Sequence, residues 1–91
     1  MSERRVGFVI GSVHGDFLCH VERGKGRNQG RDGFSYAPHP DLALRYRRLG
    51  QAQKVVDFIA KPGVRVLPLY EDGDKWLVEW PEEWLKEWGV V

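Results

Sequence analysis

The amino-acid sequence predicts a small α+β domain: a mostly antiparallel sheet of two hairpins, packed on one central helix, with a short helix near the C-terminus. Three observations predict it. Two pairs of short β-prone runs flank turn residues, one pair before position 23 and one after position 63. Between them Ala52, Val55, Val56 and Ile59 recur at three- and four-residue spacing, the period of a helix with one apolar face. The length, 91 residues, suits a single domain over 1–91 with one modest core.

The elements follow in order. Val6 to Val13 is apolar and rich in β-branched residues, as a strand requires. His14-Gly15 then makes a tight turn, and Asp16 to Glu22 alternates, with Phe17, Cys19 and Val21 on one face and Leu18, His20 and Glu22 on the other. The stretch 23–33 breaks this pattern: Gly24, Gly26, Gly30 and Gly33 are interleaved with Arg23, Lys25, Arg27 and Arg31, and no apolar residue interrupts them. A flexible basic loop, or a wide hairpin tip, is expected there. Phe34 to Ala37 resumes as a short strand, which Pro38-His39-Pro40 ends.

Asp41 to Leu49 leaves two readings open. Asp41 can cap a helix in which Leu42, Ala43, Leu44 and Tyr46 form a partial stripe, or the segment is extended. Gly50 marks a break or a second start. Gln51 to Ala60 is the strongest helical run, and Lys61-Pro62-Gly63 stops it. Val64 to Tyr70 reads as a strand that Pro68 pushes to a sheet edge or a bulge. Glu71 to Asp74 reads as a turn, and Lys75 to Trp80 as the returning strand with Trp76, Val78 and Trp80 on one face. Pro81 to Trp88 is a short helix, with Pro81 at its first position and Glu82 and Glu83 at the positive end of its dipole. An SH3-like barrel is the alternative fold; the ten-residue helix from Gln51 argues against it.

Composition narrows the class. Hydrophobic residues make up 42% and charged residues 30%, a globular balance. The net charge of +1, from 14 Lys/Arg and 13 Asp/Glu, argues against a histone-like protein and against a wholly acidic nucleic-acid mimic. The charge is nevertheless uneven. Residues 1–48 carry nine Lys/Arg against five Asp/Glu, and residues 49–91 carry five against eight. A basic half joined to an acidic half suggests a dipolar surface, or two faces that attract each other. The single cysteine, Cys19, excludes an intramolecular disulfide and suits a reducing compartment. No signal-peptide core and no membrane-length apolar run is seen, so a cytoplasmic location without a membrane partner is expected.

Catalytic and metal signals are weak. His14, His20, His39 and Cys19 are the only soft ligands, and no pair has ligand spacing, so no metal or cofactor is expected. Gly24 to Gly30 resembles a phosphate loop only in its glycines, because no Lys-Ser or Lys-Thr pair follows. His14, His20 or His39 with Lys25 and Tyr36 could serve acid–base chemistry, as in a small metal-independent ribonuclease, but nothing fixes their geometry.

Two binding features stand out. All four tryptophans, Trp76, Trp80, Trp84 and Trp88, lie four residues apart near the C-terminus. Two of them are expected in the core, Trp76 or Trp80 with Trp84, against the Val55/Ile59 face. At least one, with Trp88 the foremost candidate, is expected on the surface. There Trp84 and Trp88 among Glu82, Glu83 and Glu87 would form an aromatic, acidic protein-binding anchor. The alternative is an aromatic core with a solvated acidic rim. The second feature is Arg23, Lys25, Arg27 and Arg31 beside Phe34 and Tyr36, which suits phosphate contacts and base stacking, or a second contact in a protein complex.

From Phe8 to about Trp80 the order of parts resembles small accessory proteins of bacteriophages and prophages. Those run hairpin, glycine-containing loop, a D-L-A-x-R-aromatic segment, an Ala/Val-rich helix and a closing strand. The matching pieces are Asp41-Leu42-Ala43 with Arg45-Tyr46, then Ala52, Val55, Val56 and Phe58, then Val64-Arg65-Val66-Leu67-Pro68. The tryptophan-rich tail departs from that pattern. The resemblance implies an inhibitor of a host machine, anti-CRISPR proteins among them, and transfers no catalytic residue. The expectation is therefore a non-enzymatic, cytoplasmic binding protein that occupies a surface of a host protein or ribonucleoprotein. A small RNA- or DNA-binding module is the alternative, and a small ribonuclease the third reading.

Overall fold

The computed structural model describes residues 4–22 and 33–90. Five strands form one antiparallel sheet: β1 (Arg4–Ser12), β2 (Phe17–Glu22), β3 (Gly33–Ala37), β4 (Val64–Asp72) and β5 (Lys75–Val78). Their order across the sheet is β3-β2-β1-β4-β5. One helix, α1 (Leu49–Ile59), joins β3 to β4, and a second, α2 (Glu82–Glu87), follows β5. This is the α+β arrangement of two hairpins, a main helix and a short C-terminal helix. Residues 23–32, most of the expected basic loop, lie outside the described residues; Gly33 opens β3.

β1 is the centre of the sheet, and its apolar run reflects burial on both faces. Val9 and Ile10 are adjacent and both fully buried, so each must meet a separate core. Val9 joins Phe17, Leu67, Leu69 and Trp84. Ile10 joins Leu18 and Ile59, with Val55, Val56 and Val64 around them. Thus α1 covers one face, burying Ala52 and Ile59, and α2 with the tryptophans covers the other. Trp84 therefore does not pack against the Val55/Ile59 face. The register explains why: Val9↔Leu67 and Leu69↔Val78 align on the face opposite Ile10, and Val78 leads the chain onto it.

The open segment 41–49 is mostly extended. A 3-10 turn, Pro40–Leu42, is followed by a β-bridge between Tyr46 and Phe8. Phe8 N–H donates to the Tyr46 carbonyl at 2.7 Å, and Tyr46 N–H returns a bond to Phe8 at 2.8 Å. These bonds occupy the side of β1 that β2 leaves free, because β2 pairs with β1 only at Gly11↔Phe17. Gly50 does not break α1, which begins at Leu49 with Arg48 as its N-cap. α1 ends at Ala60, whose φ of 53° is left-handed, and Lys61-Pro62-Gly63 then turns the chain into β4.

The second hairpin is tighter than expected. β4 continues to Asp72, leaving Gly73-Asp74 as the turn, and the positive φ of 67° at Gly73 suits a two-residue connection. β5 stops at Val78, so Trp80 is no longer in the strand. Gly11 marks a close approach of side chains to the sheet. A Cβ there would run into Leu67 Cδ1 and lie 3.2 Å from the Trp80 ring, so the missing side chain makes room for both.

Candidate protein-binding groove beside β4

The groove exists because β5 and β4 part company. β5 pairs with β4 only from Leu69 to Asp72. Beyond Val78 the chain crosses over the sheet face; Pro81, with its fixed φ, precedes α2, and Glu82 and Glu83 occupy the first turn. What draws the chain over is aromatic packing. The Trp80 ring lies 5.1 Å from Phe17, 6.1 Å from Trp84 and 5.0 Å from Trp88, centre to centre. Such tilted and edge-on contacts each add about 0.5–1.5 kcal/mol beyond area burial.

The expected anchor residues are consequently part of this cluster. Trp84 is only 5% exposed, with the Arg65 guanidinium 5.7 Å above its ring. Trp88 is half-buried, and its indole Nε1–H donates to the Val13 carbonyl at 2.6 Å. Of the two, Trp84 is thus a core residue, whereas Trp88 keeps part of its surface at the end of the stack: Gly11 clears space for Trp80, and the stack continues through Trp84 to Trp88. Glu82, Glu83 and Glu87 are exposed, as the sequence predicts. Glu83 pairs with Arg65, and Glu82 lies 3.8 Å from Lys86 one helical turn on.

Between β4 and the start of α2 an open cavity of about 380 Å³ remains. Its β4 wall is Arg65, Val66, Leu67 and Pro68, and its other wall is Glu79, Trp80, Pro81 and Glu82. An apolar floor, a strand edge and a carboxylate rim meet there. The sequence shows the acids but not the groove, which depends on where β5 leaves β4.

The second predicted patch is only partly described. Arg23, Lys25, Arg27 and Arg31 lie outside the described residues. Phe34 and Tyr36 are half-buried at the margin of the α1-side core. The Phe34 ring meets the Phe58 ring edge-on at 6.0 Å, and the Lys61 ammonium sits 5.7 Å from its centre. The Tyr36 hydroxyl is held above its usual pKa of 10.0 by burial and, secondarily, by the Asp16 carboxylate.

The histidines do not converge on one site. His14 lines a cavity of about 190 Å³ with Ser12, Asp16, Tyr36 and Lys61, and neither His20 nor His39 lines it. Ser12 Oγ donates to Asp16 and accepts from the His14 backbone N–H at 3.1 Å, bonds that close the β1–β2 turn. Among the described residues no cluster of three His, Cys, Asp or Glu can hold a metal ion. No described helix is long and apolar enough to cross a membrane.

The class that fold and groove define is a small α+β domain with a built acidic cleft. The chain matches no family model, and no curated protein and no solved structure is significantly similar to it.

Proposed function

We propose that the protein is a non-enzymatic binding domain that acts by occupying a surface of a larger protein or ribonucleoprotein. Its contact face is the acidic groove between β4 and α2. The observation that carries this reading is the 380 Å³ opening in which Trp80 and Pro81 face the edge of β4 under Glu79 and Glu82. An apolar centre inside a charged rim is the anatomy of a specific interface. Trp84 and Trp88, stacked with Trp80, hold that rim in place and act as support, while Trp80 itself lines the groove. Inhibition of a host machine, as in the phage accessory proteins that the chain resembles, needs affinity alone and fits a domain of this kind.

The test is a charge neutralisation. Glu82→Gln with Glu87→Gln is expected to weaken a nuclease-resistant protein partner several-fold, with the melting curve shifted little, because both side chains are exposed and only the Glu82–Lys86 surface pair is lost. Undiminished binding by the folded variant would remove the groove from the account.

A second reading has its own support. Lys61 over Phe34, with Phe58 beside it, places a cation and two rings next to the strand that follows the Arg/Gly stretch. Those groups suit a nucleic-acid backbone and its bases. That reading predicts capture that disappears with nuclease and falls steeply with salt.

A further inference from the structure

The pairing of β4 leaves part of its backbone without a neighbour. Pro68 has no N–H, so Phe8↔Pro68 is a pair without ladder bonds, and Phe8 instead exchanges both of its bonds with Tyr46. The register runs unbroken from Gly7 to Ser12. The bonded pairs are therefore Val9↔Leu67 and Gly11↔Arg65, and the backbone groups of Val64, Val66 and Pro68 point away from β1. At Pro68 the outward carbonyl accepts the Glu79 N–H at 3.3 Å. At Val66 β5 has already diverged, and among the described residues no backbone partner meets its N–H or C=O. Both groups open into the groove that Val66 lines.

The charge around this edge selects the occupant. Glu79 and Glu82 line the groove with Arg65, and Glu83 and Glu87 lie on the same short helix; Arg65 is already paired with Glu83, and Lys86 with Glu82. Glu79 and Glu87 have no ion-pair partner among the described residues. Resting on the reading of the groove as the contact face, we propose that the Val64–Pro68 edge takes an extended segment of a partner protein as an added strand. The segment carries Lys or Arg and spans about five residues at ~3.3 Å each. Main-chain bonds to Val66 supply the attachment, Trp80 and Pro81 receive one face of the segment, and the carboxylates receive its cations.

The probe is a hexapeptide alternating lysine and valine, titrated into isotope-labelled protein and followed by amide resonances. Saturable shifts at the Val66 amide are expected. They should vanish with a glutamate–valine peptide and with the lysine peptide N-methylated at alternate amides. Glu79→Lys should weaken binding about tenfold. Val66→Pro deletes the groove-facing N–H without removing a bond to β1, and should weaken binding comparably in a protein that keeps its fold. An unmoved Val66 amide, equal binding of the methylated peptide, or self-association of the protein through this edge would each overturn strand addition. If the Val66 amide stays unmoved while Glu82→Gln with Glu87→Gln still weakens partner binding, the groove reading survives and strand addition alone fails. If both experiments show no effect, the groove reading fails with it.

Discussion

The indole of Trp88 ties the end of α2 to the β1–β2 hairpin through its bond to the Val13 carbonyl. Trp88→Phe keeps an apolar ring but removes that donor. It is expected to destabilise the fold by about 1–3 kcal/mol, read by urea denaturation, by leaving a half-buried carbonyl unpaired and thinning the stack. Gly11 makes the complementary prediction. Gly11→Ala inserts a methyl group against Leu67 and Trp80, and should cost about 1–3 kcal/mol by the same measurement. At this scale the sequence was informative about type and not about place. Four tryptophans at four-residue spacing announced an aromatic cluster. The close approach at Gly11 that lets Trp80 reach Phe17 is a long-range event, with no local signature around Gly11 itself.

Elements with a strong local period were legible. The apolar stripe of Ala52, Val55, Val56 and Ile59 located α1 to within two residues. β2 was located too, but its bulge between Leu18 and His20 puts Val21 in the core of Leu18, opposite Phe17, and not on one face with Phe17 as simple alternation predicts. Asp41 to Leu49 was not decidable locally, because its outcome is settled by Phe8, more than thirty positions away in the chain, whose free edge captures Tyr46. The end of α1 carries a testable strain. Ala60 adopts a left-handed φ of 53°, a conformation that favours glycine. Ala60→Gly should therefore stabilise the protein by about 0.5–1 kcal/mol despite the added freedom of the unfolded chain, measured as a higher denaturation midpoint. Pro68 predicts a sheet edge or a bulge; β4 instead lies between β1 and β5, and the proline is tolerated because its position opposite Phe8 needs no N–H, at the point where β5 leaves β4.

Across the molecule, strand order turns the uneven charge of the sequence into geometry. β3 and β2, which the Arg/Gly stretch connects in sequence, form one side of the sheet. β4, β5 and α2, with Glu71, Asp72, Asp74, Glu79, Glu82, Glu83 and Glu87, form the other. A sheet covered on both faces leaves its edges and rims for recognition, and the described rim with both an apolar floor and excess charge lies beside β4. The acidic residues of that site were legible from composition. Its floor was not, because divergence of β5 from β4 depends on where Trp80 packs. Amide hydrogen exchange of the free protein, and of its complex with a nuclease-resistant partner, tests this account most directly. Slowed exchange over residues 64–67, 79–80 and 82–87 in the complex, with 33–37 and 54–61 unchanged, is the result the account predicts. Slowing confined to 33–37 and 54–61, with the β4 edge unchanged, would contradict it.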